Sequence, residues 1–514
     1  MQPLISIVIP NMNGMEHLPD CFASLAAADY PLDRQEWIVS DNGSVDGSVG
    51  FLRREYARAK IVENGRNIGF APGCNAGAAA ATGEYLVFLN NDTRVAPGWL
   101  HGYLSALARD PEAVCAASYM RSWDDTEPDF DGAASNLFGV GRQRAVIGWP
   151  DCPTGPGEGD PLLFASGGAM LIRRDVFREV GGFDTSFFIY FEDVDLGWRL
   201  WVLGYRVVFA PGAVVYHKEG GTSGAKRAPS HRRYRLFETN TLAAIVKNYE
   251  QANLDRILPA ALLLEFKRAL MSGGDAINRA EYRLDGPSKA EPSPTAHLPT
   301  MSAAHILGMG KLADRWQHLM AERTRIQSRR RRPDSEILPL FRRPFAPQFA
   351  GRAYADAMRR LSAALDLYPI VAGASPSRIL ILRSPDSLDY ARAAALNRLL
   401  GAEFLTMQGP ADPVVAANAD LLLSVGATLP PTGFAPNVPL AVDMGGTPPE
   451  RVSAAGRAAL VQRAGLVVCS DSATAVAWQR ALPVDLPVAV QGDGDGLAAE
   501  VRRYCWYPLH RGRV

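Results

Sequence analysis

Short unbroken apolar runs recur along the first ~220 positions, and each breaks abruptly into amides and carboxylates. Runs of this kind, rich in β-branched residues, predict strands buried on both faces. They stand at Leu4–Pro10, Trp37–Ser40, Leu86–Leu89, Ala113–Ser118, Tyr205–Phe209 and Ala213–His217. Between them the apolar positions take helical spacing, which predicts helices over Met15–Ala28, Asp46–Ala59, Ala71–Ala81, Pro97–Ala108 and Phe191–Leu203. Pro97 suits a helix start, where a missing N–H costs nothing. The stretch FASGGAMLIRRDVFREVGGFD reads as strand, helix and glycine stop. From Trp123 to Gly159 the periodicity is lost among Gly, Pro and Asp, which predicts a long functional loop. Strands alternating with helices define an α/β class with a largely parallel sheet.

Two further regions follow. Arg227–Leu367 is helical and Arg-rich, with its most basic tract at Arg323–Pro333 and a hinge near 292–300. From about Ser377, RILILRS, LLLSVG, VPLAVDMGG and GLVVCSDS restore the strand-and-helix pattern. The expected domains are therefore 1–226, 227–370 and 371–514, with the last free to scaffold, dimerise or hold a second substrate. No short-period repeat is present.

Composition narrows the function. Of 514 residues, 47% are hydrophobic, enough for sizeable cores. Lys plus Arg equals Asp plus Glu at 54 each, so no global charge points to nucleic acid. The six cysteines are scattered, with neither C-x-x-C pairs nor Cys/His clusters, which argues against a zinc site or disulfide frame. The N-terminus enters a strand without a basic-then-apolar leader, and Ile257–Leu264 is too short to span a bilayer. A cytoplasmic protein is expected, peripheral to an anionic membrane at most, through Arg329–Arg332 or the apolar side of Leu254–Met271. Both segments read equally well as a solvated helix end and a core helix.

The candidate chemistry stands at the strand ends, where α/β sheets bind ligands. Asn11 and Asn13 follow Pro10; Asp41, Asn42 and Ser44 follow Val39; Asn90, Asn91 and Asp92 follow Leu89; His217 ends the last strand, before Lys218. These types suit one ligand, a sugar bonded to a nucleoside diphosphate. Asp41, an acceptor only, could take the N3–H of uracil or thymine. Asp92, with His217, could hold Mg²⁺ or Mn²⁺ against the diphosphate. Lys218 adds positive charge. In FFIYFEDVDLGWRL, Glu192, Asp193 and Asp195 follow a mostly aromatic stretch, and apolar neighbours such as Phe191 and Trp198 would raise the pKa of a general base. Singly, each residue has a plainer reading: turn chemistry for NND, a charged helix start for EDVD, a hydrogen-bonded structural histidine for His217. Recurrence at successive strand ends is what those readings do not explain.

The ordered set SIVIPNMNG, VSDNGSVDGS, NIGFAPGCNAGAAAATGEYLVFLNNDTRV, ASGGAMLIRRDVFREVGGFD and YFEDVDLGWRL…YHKEGGTS resembles the motif series of family 2 glycosyltransferases, most nearly the bacterial rhamnosyltransferase-like subgroup, over about residues 4–225. The resemblance implies a GT-A fold and inverting transfer from a TDP- or UDP-sugar to a saccharide or lipid-linked acceptor in cell-surface glycan synthesis. By it, Pro10, Asn11, Asn13, Asp41, Asn42, Ser44, Asn67, Gly69, Asn75, Asn90, Asn91 and Lys218 contact the donor, and Asp92 and His217 the metal. Asp193, beside Glu192, matches the presumed base, and Gly167, Gly168 and Trp198 are expected on the acceptor side. Two positions depart from the pattern: Asn90 replaces the first aspartate of D-x-D, and Met12 stands where an aromatic is common. The competing expectation is a nucleotide-sugar-binding or scaffold protein without catalysis. The C-terminal region resembles, faintly, half of a GT-B glycosyltransferase.

Overall fold

The computed structural model describes residues 2–143, 156–218, 231–272, 299–341, 344–345 and 352–371, and beyond these the segments 379–383, 403–406, 421–425, 440–445, 447–455, 457, 466–470, 472–481 and 488–490. It divides into two compact units at about residues 342/343.

The first unit is built on a mixed nine-stranded sheet. In chain order its strands are β1 (Ile5–Asn11), β2 (Gln35–Asp41), β3 (Lys60–Glu63), β4 (Tyr85–Leu89), β5 (Thr93–Val95), β6 (Ala113–Ser122) and β7 (Pro128–Phe130). A separate two-stranded ribbon pairs β8 (Ala133–Ser135) with β9 (Gly141–Gln143), and β10 (Ala169–Arg173) and β11 (Arg206–His217) complete the main sheet. The spatial order is β3-β2-β1-β4-β10-β6-β11-β5, with β7 on β6. Every residue of β1 is buried, as its position between parallel β2 and β4 requires. The first block, β3-β2-β1-β4, is parallel as expected, but β10 runs antiparallel to both β4 and β6. The two strands expected at 205–209 and 213–217 are one, β11, broken in register between Ala210 and Val214, beside Pro211 and Gly212.

β1 has β2 on one side and β4 on the other, so the winding reverses there and the strand tips open a crevice between β1 and β4. The helices are α1 (Leu18–Ala26), α2 (Ser48–Glu55), α3 (Phe70–Ala79), α4 (Trp99–Ala108), α5 (Arg174–Glu179) and α6 (Glu192–Val202). α3 lies tight on β1 because it is made of small residues: a Cβ on Gly77 would sit 2.4 Å from Val8 Cγ1. α6 is buried along nearly its whole length.

The Arg-rich helices do not stand apart. α7 (His231–Asn248), α8 (Gln251–Ser272), α9 (Thr300–Asp314), α10 (Trp316–Gln327) and the short α11 (Asp334–Ile337) belong to the first unit. The basic tract is spent inside it. Arg329 pairs with Glu179 at 2.7 Å, Arg330 with Asp334 at 3.0 Å, and Arg332 reaches Glu112 and lies over the Trp201 ring. These guanidiniums are a seam rather than a free cationic patch. The hinge expected near 292–300 lies almost wholly outside the described residues. No helix among the described residues is long and apolar enough to cross a membrane.

The second unit holds α12 (Arg352–Ala364), α13 (Tyr368–Val371) and a six-stranded parallel sheet. Its strands are β12 (Ile379–Arg383), β13 (Glu403–Thr406), β14 (Leu421–Val425), β15 (Leu440–Gly445), β16 (Leu466–Cys469) and β17 (Val488–Val490). Their order is β13-β12-β14-β15-β16-β17, with α14 (Ser472–Ala481) beside β16 and β17.

Candidate functional site

Five of the residues expected at the donor side, Asn11, Asn13, Asp41, Ser44 and Asn91, form one hydrogen-bonded sequence of contacts across the strand tips. Register pairs Asn11 with Asp41 at the ends of β1 and β2. Asn11 Nδ2 donates to Asp41 Oδ1 at 2.9 Å, and Asn11 Oδ1 accepts from Asn91 Nδ2 at 2.7 Å, bridging the crevice between β1 and β4. Gly14 makes this bridge possible, since a Cβ there would lie 2.1 Å from Asn91 Nδ2 and 2.3 Å from Asn11 Oδ1. Asn13, at φ +52°, accepts from Val45 N and donates its own N–H to Ser44 Oγ at 2.8 Å. Asp46, unmarked in the sequence reading, ties Met15 N to Ser48 N and so fixes the two loops together. Pro10 is buried in β1, and Met12 is 36% exposed beside this network.

Asp41 is placed differently from the expectation. Its carboxylate is 3% exposed and already accepts from Asn11 Nδ2, Ser44 Oγ, Ser44 N and Gly43 N. A carboxylate offers about four lone pairs, so a base N3–H needs one of these donors to swing away. Ser44 Oγ–H, the only rotor among the four, is the one free to do so. Asn42 spans Gly69 O and Asn64 Nδ2, and Asn67 Oδ1 accepts from Gly69 N. Asn75 is spent on structure: its amide both donates to Phe183 O at 2.7 Å and accepts from Phe183 N at 3.0 Å. It clamps α3 to the GGFD turn, leaving one of its two N–H groups for any ligand contact.

Asp92 and His217 come together through β5 and β11, which pair Thr93 with His217. His217 Nε2 lies 3.4 Å from Asp92 Oδ1, and Nδ1 lies 2.7 Å from Asp129 Oδ2. Burial alone would lower the His217 pKa, but Asp129 and Asp92 push it up to about 10. Burial would likewise raise Asp92; His217 holds it below the usual carboxylate range instead. Asp129 was hidden in the Asp-rich loop, where nothing distinguishes it from its neighbours. A carboxylate on Nδ1 that leaves Nε2 facing a second carboxylate is the usual setting of a metal-binding imidazole. Lys218 donates its backbone N–H to Asp92 O at 2.9 Å, but its ammonium pairs with Asp20 at 2.9 Å and lies over Trp123.

The antiparallel pairing of β10 with β4 brings Gly168 to Asn90: Asn90 N donates to Gly168 O at 2.8 Å. One residue earlier, Gly167 N donates to Asp193 Oδ2 at 2.9 Å, and a Cβ on Gly167 would lie 3.5 Å from Asp193 Cβ. The tip of β4 is thus joined to the start of α6 through the Gly167–Gly168 turn. Asp193 Oδ1 accepts from Val194 N at 2.8 Å. Burial raises the Asp193 pKa against these two backbone donors. Burial, and then Asp193 itself, raise Glu192 well above its ordinary value.

The other acid of the motif is structural. Asp195 is fully buried between Lys247 at 2.9 Å, Arg199 at 3.2 Å and Asn248. Trp198 belongs to the core, not to an acceptor surface: it is fully buried, edge-on to Tyr249 and Phe341. Helical periodicity points it inward, away from Asp193. Elsewhere among the described residues, Glu238, Glu265 and His305 have ligand atoms within 4.8 Å of one another. Arg268 already pairs with both carboxylates there, so the cluster carries its own cation.

A mixed α/β sheet with polar strand tips joined across its switch point, a carboxylate–imidazole pair on one side and a half-buried acid at a helix start on the other defines a GT-A-type sugar transferase. The model of the glycosyl transferase family 2 matches residues 6–181. An N-acetylglucosaminyl-diphospho-decaprenol L-rhamnosyltransferase of Mycobacterium tuberculosis is 30% identical over 247 residues, 44% of this chain and 79% of that protein. The chain belongs to glycosyl transferase family 2. An O-antigen biosynthesis protein of Myxococcus xanthus is 30% identical over 235 residues, 44% of this chain and 18% of that protein. Among solved structures, GalNAc-T7 with UDP, GalNAc and Mn²⁺ superposes with a TM-score of 0.40 at 18% identity. That match covers 50% of this chain and 51% of the other, so the chain spans about half the length of that protein.

Proposed function

We propose that the chain is an inverting, metal-dependent glycosyltransferase, moving a hexose, with L-rhamnose first among the candidates, from a TDP- or UDP-sugar to a hydroxyl of a saccharide or lipid-linked acceptor. The acceptor class and the sugar follow the mycobacterial relative's name, an enzyme acting on N-acetylglucosaminyl-diphospho-decaprenol. The observation that carries the reading is the contact path from Asp41 through Asn11, Asn91, Asn90 and Gly168–Gly167 to Asp193. In this reading it links the donor side of the reaction to the acceptor side.

In this reading Asp193 takes the proton from the acceptor hydroxyl. The acceptor oxygen then bonds to the anomeric carbon from the face opposite the diphosphate, and the C–O bond to the diphosphate breaks with its electron pair passing to the leaving oxygen. One displacement inverts the centre. The raised pKa of Asp193 makes it a stronger base than an exposed aspartate. Asp92 and His217 Nε2 would hold a divalent ion, the imidazole releasing its Nε2 proton as the ion binds, with Asp129 steadying the ring. The ion supplies charge stabilisation to the departing diphosphate. Two protein ligands suffice when phosphate oxygens and water complete the shell. Asn90 leaves that site one negative charge short of D-x-D, which favours a weakly held, exchangeable ion.

A thermal-shift screen of TDP- and UDP-sugars with and without Mn²⁺ tests the reading. A donor at 100-fold its Kd adds about 2.7 kcal/mol to the folded state. The proposal expects a rise with at least one donor, larger with Mn²⁺; no shift with any donor at millimolar concentration overturns it.

A further inference from the structure

The segment that delivers Asp193 is held in a conformation its residues resist. Phe188, Tyr190 and Phe191 have φ of +61°, +71° and +69°. Bulky aromatic residues rarely adopt left-handed backbone, and a run of them persists only where the surroundings over-determine it. None of these residues is glycine, so the chain itself offers no relief.

What holds the segment is α7, outside the residues matched by the family model. Asn240, fully buried, points its amide nitrogen at three carbonyls of this segment: Phe187 O at 3.0 Å, Ile189 O at 3.1 Å and Tyr190 O at 2.8 Å. Two N–H groups serve three acceptors, so one hydrogen is shared. Asn240 Oδ1 in turn accepts from Arg315 Nη1 at 3.1 Å, which sets the amide the right way round. One turn earlier on α7, Phe237 stacks on Tyr190 with ring centroids 4.7 Å apart and meets Phe191 edge-on at 5.3 Å. The same helix therefore holds both the backbone and the rings of the segment.

The segment also touches the donor side. Phe188 O accepts from Ala71 N at 3.1 Å, and Gly69, at φ +100°, leaves room for Phe188, whose ring and carbonyl would lie 2.6 Å from a Cβ there. Phe188–Phe191 thus sits between the start of α3 and Asp193.

We propose that Asn240, supported by Phe237, is a positioning residue for the reaction: it holds the aromatic segment in its left-handed form and so sets where the Asp193 carboxylate stands relative to the donor. The inference rests on Asp193 as the base. It predicts a loss in turnover without a matching loss in donor binding, because the hydrogen bonds of Asn240 go to Phe187, Ile189, Tyr190 and Arg315, none of them a donor-side residue.

The test is Asn240→Asp, which keeps shape but removes both N–H donors and sets a carboxylate against three carbonyls. The assay is nucleotide release from TDP-L-rhamnose, or from the UDP-sugar that shifts the melting temperature most, with Mn²⁺ and water as acceptor. The expected result is kcat reduced at least ~100-fold while KM for the donor stays within ~3-fold. Phe237→Leu, which keeps apolar volume without the stacked ring, is expected to lower kcat ~10-fold with KM unchanged, and it decides the matter if Asn240→Asp does not fold. A folded Asn240→Asp with wild-type kcat, or Phe237→Leu with wild-type kcat where Asn240→Asp is unfolded, overturns the inference. So does an equal loss in kcat and donor affinity. Asp193→Asn run in parallel separates the two readings: if it turns over normally, the base assignment fails; if it is inactive while Asn240→Asp is normal, only the positioning role fails.

Discussion

Replacing Lys247 by Met tests how the Arg-rich helices are joined to the catalytic helix. The Lys247 ammonium is fully buried, 2.6 Å from Asp184 Oδ2 and 2.9 Å from Asp195 Oδ1. Methionine fills much of the same volume, so the cavity term is small and the electrostatic term dominates. Removing one partner of a buried pair costs about 3–5 kcal/mol, because the remaining charge is left uncompensated. Here each carboxylate keeps other support. Asp195 retains Arg199 and Asn248; Asp184 retains Ser186 N and, at 3.3 Å, His318. The expected loss is therefore at the low end, about 3 kcal/mol. Urea unfolding of the full chain, followed by tryptophan fluorescence, reads it as a fall in the midpoint of the first unit with little change in slope.

The same variant carries a pH signature. Burial would raise the Asp184 carboxyl, but Lys247 and Ser186 hold it well below the ordinary 3.8. A depressed carboxylate contributes stability that is present above its unfolded pKa and lost as pH falls through the folded value. In Lys247→Met that depression shrinks, so the stability gap between wild type and variant holds from pH 7 to about 4 and narrows as pH falls below the ordinary 3.8. A loss below about 1 kcal/mol at pH 7, the surface-pair range, or a gap that stays constant down to pH 3, refutes the reasoning.

Two other perturbations follow from the geometry. Gly14→Ala sets a Cβ against Asn91 and Asn11 and parts the bridge across the crevice, so donor affinity measured by calorimetry is expected to fall at least ~10-fold, about 1.4 kcal/mol, with the fold intact by circular dichroism. Burial, only partly offset by Arg268, raises the Glu238 pKa from 4.5 to about 8. A carboxyl whose folded pKa is raised keeps its proton in the folded state, so stability falls as pH rises from about 4.5 to 8; Glu238→Gln is expected to flatten the melting temperature across that window.

Much of the site could be read from the chain because apolar runs end in amides and carboxylates at several successive strand tips, a recurrence that turn chemistry at any one tip does not explain. Asn11, Asn91, Asp92 and His217 stand there in the structure. The roles that differed depend on partners distant in sequence. Asp41 reads as an open acceptor until Asn11 and Ser44 are seen to fill it, and Asn75 reads as a donor contact until Phe183 is found on both ends of its amide. The strand at Lys60–Glu63 was missed because none of its residues is buried, so it has no apolar run to show. The antiparallel sense of β10 cannot be seen in a run of apolar residues, which looks the same in either direction. Asn240 and Asp129 carry no local motif at all; their importance arises from carbonyls and an imidazole 50 or more residues away.

The central claim is that donor cradle and base share one centre, with Asp193 acting on the acceptor alone. Asp193→Asn tests it most directly, with donor affinity and turnover measured side by side in the presence of Mn²⁺. The account predicts donor affinity within ~3-fold of wild type and turnover reduced by about 10²–10⁴, the usual worth of a general base. Wild-type turnover in this variant, or loss of donor binding in step with turnover, contradicts it.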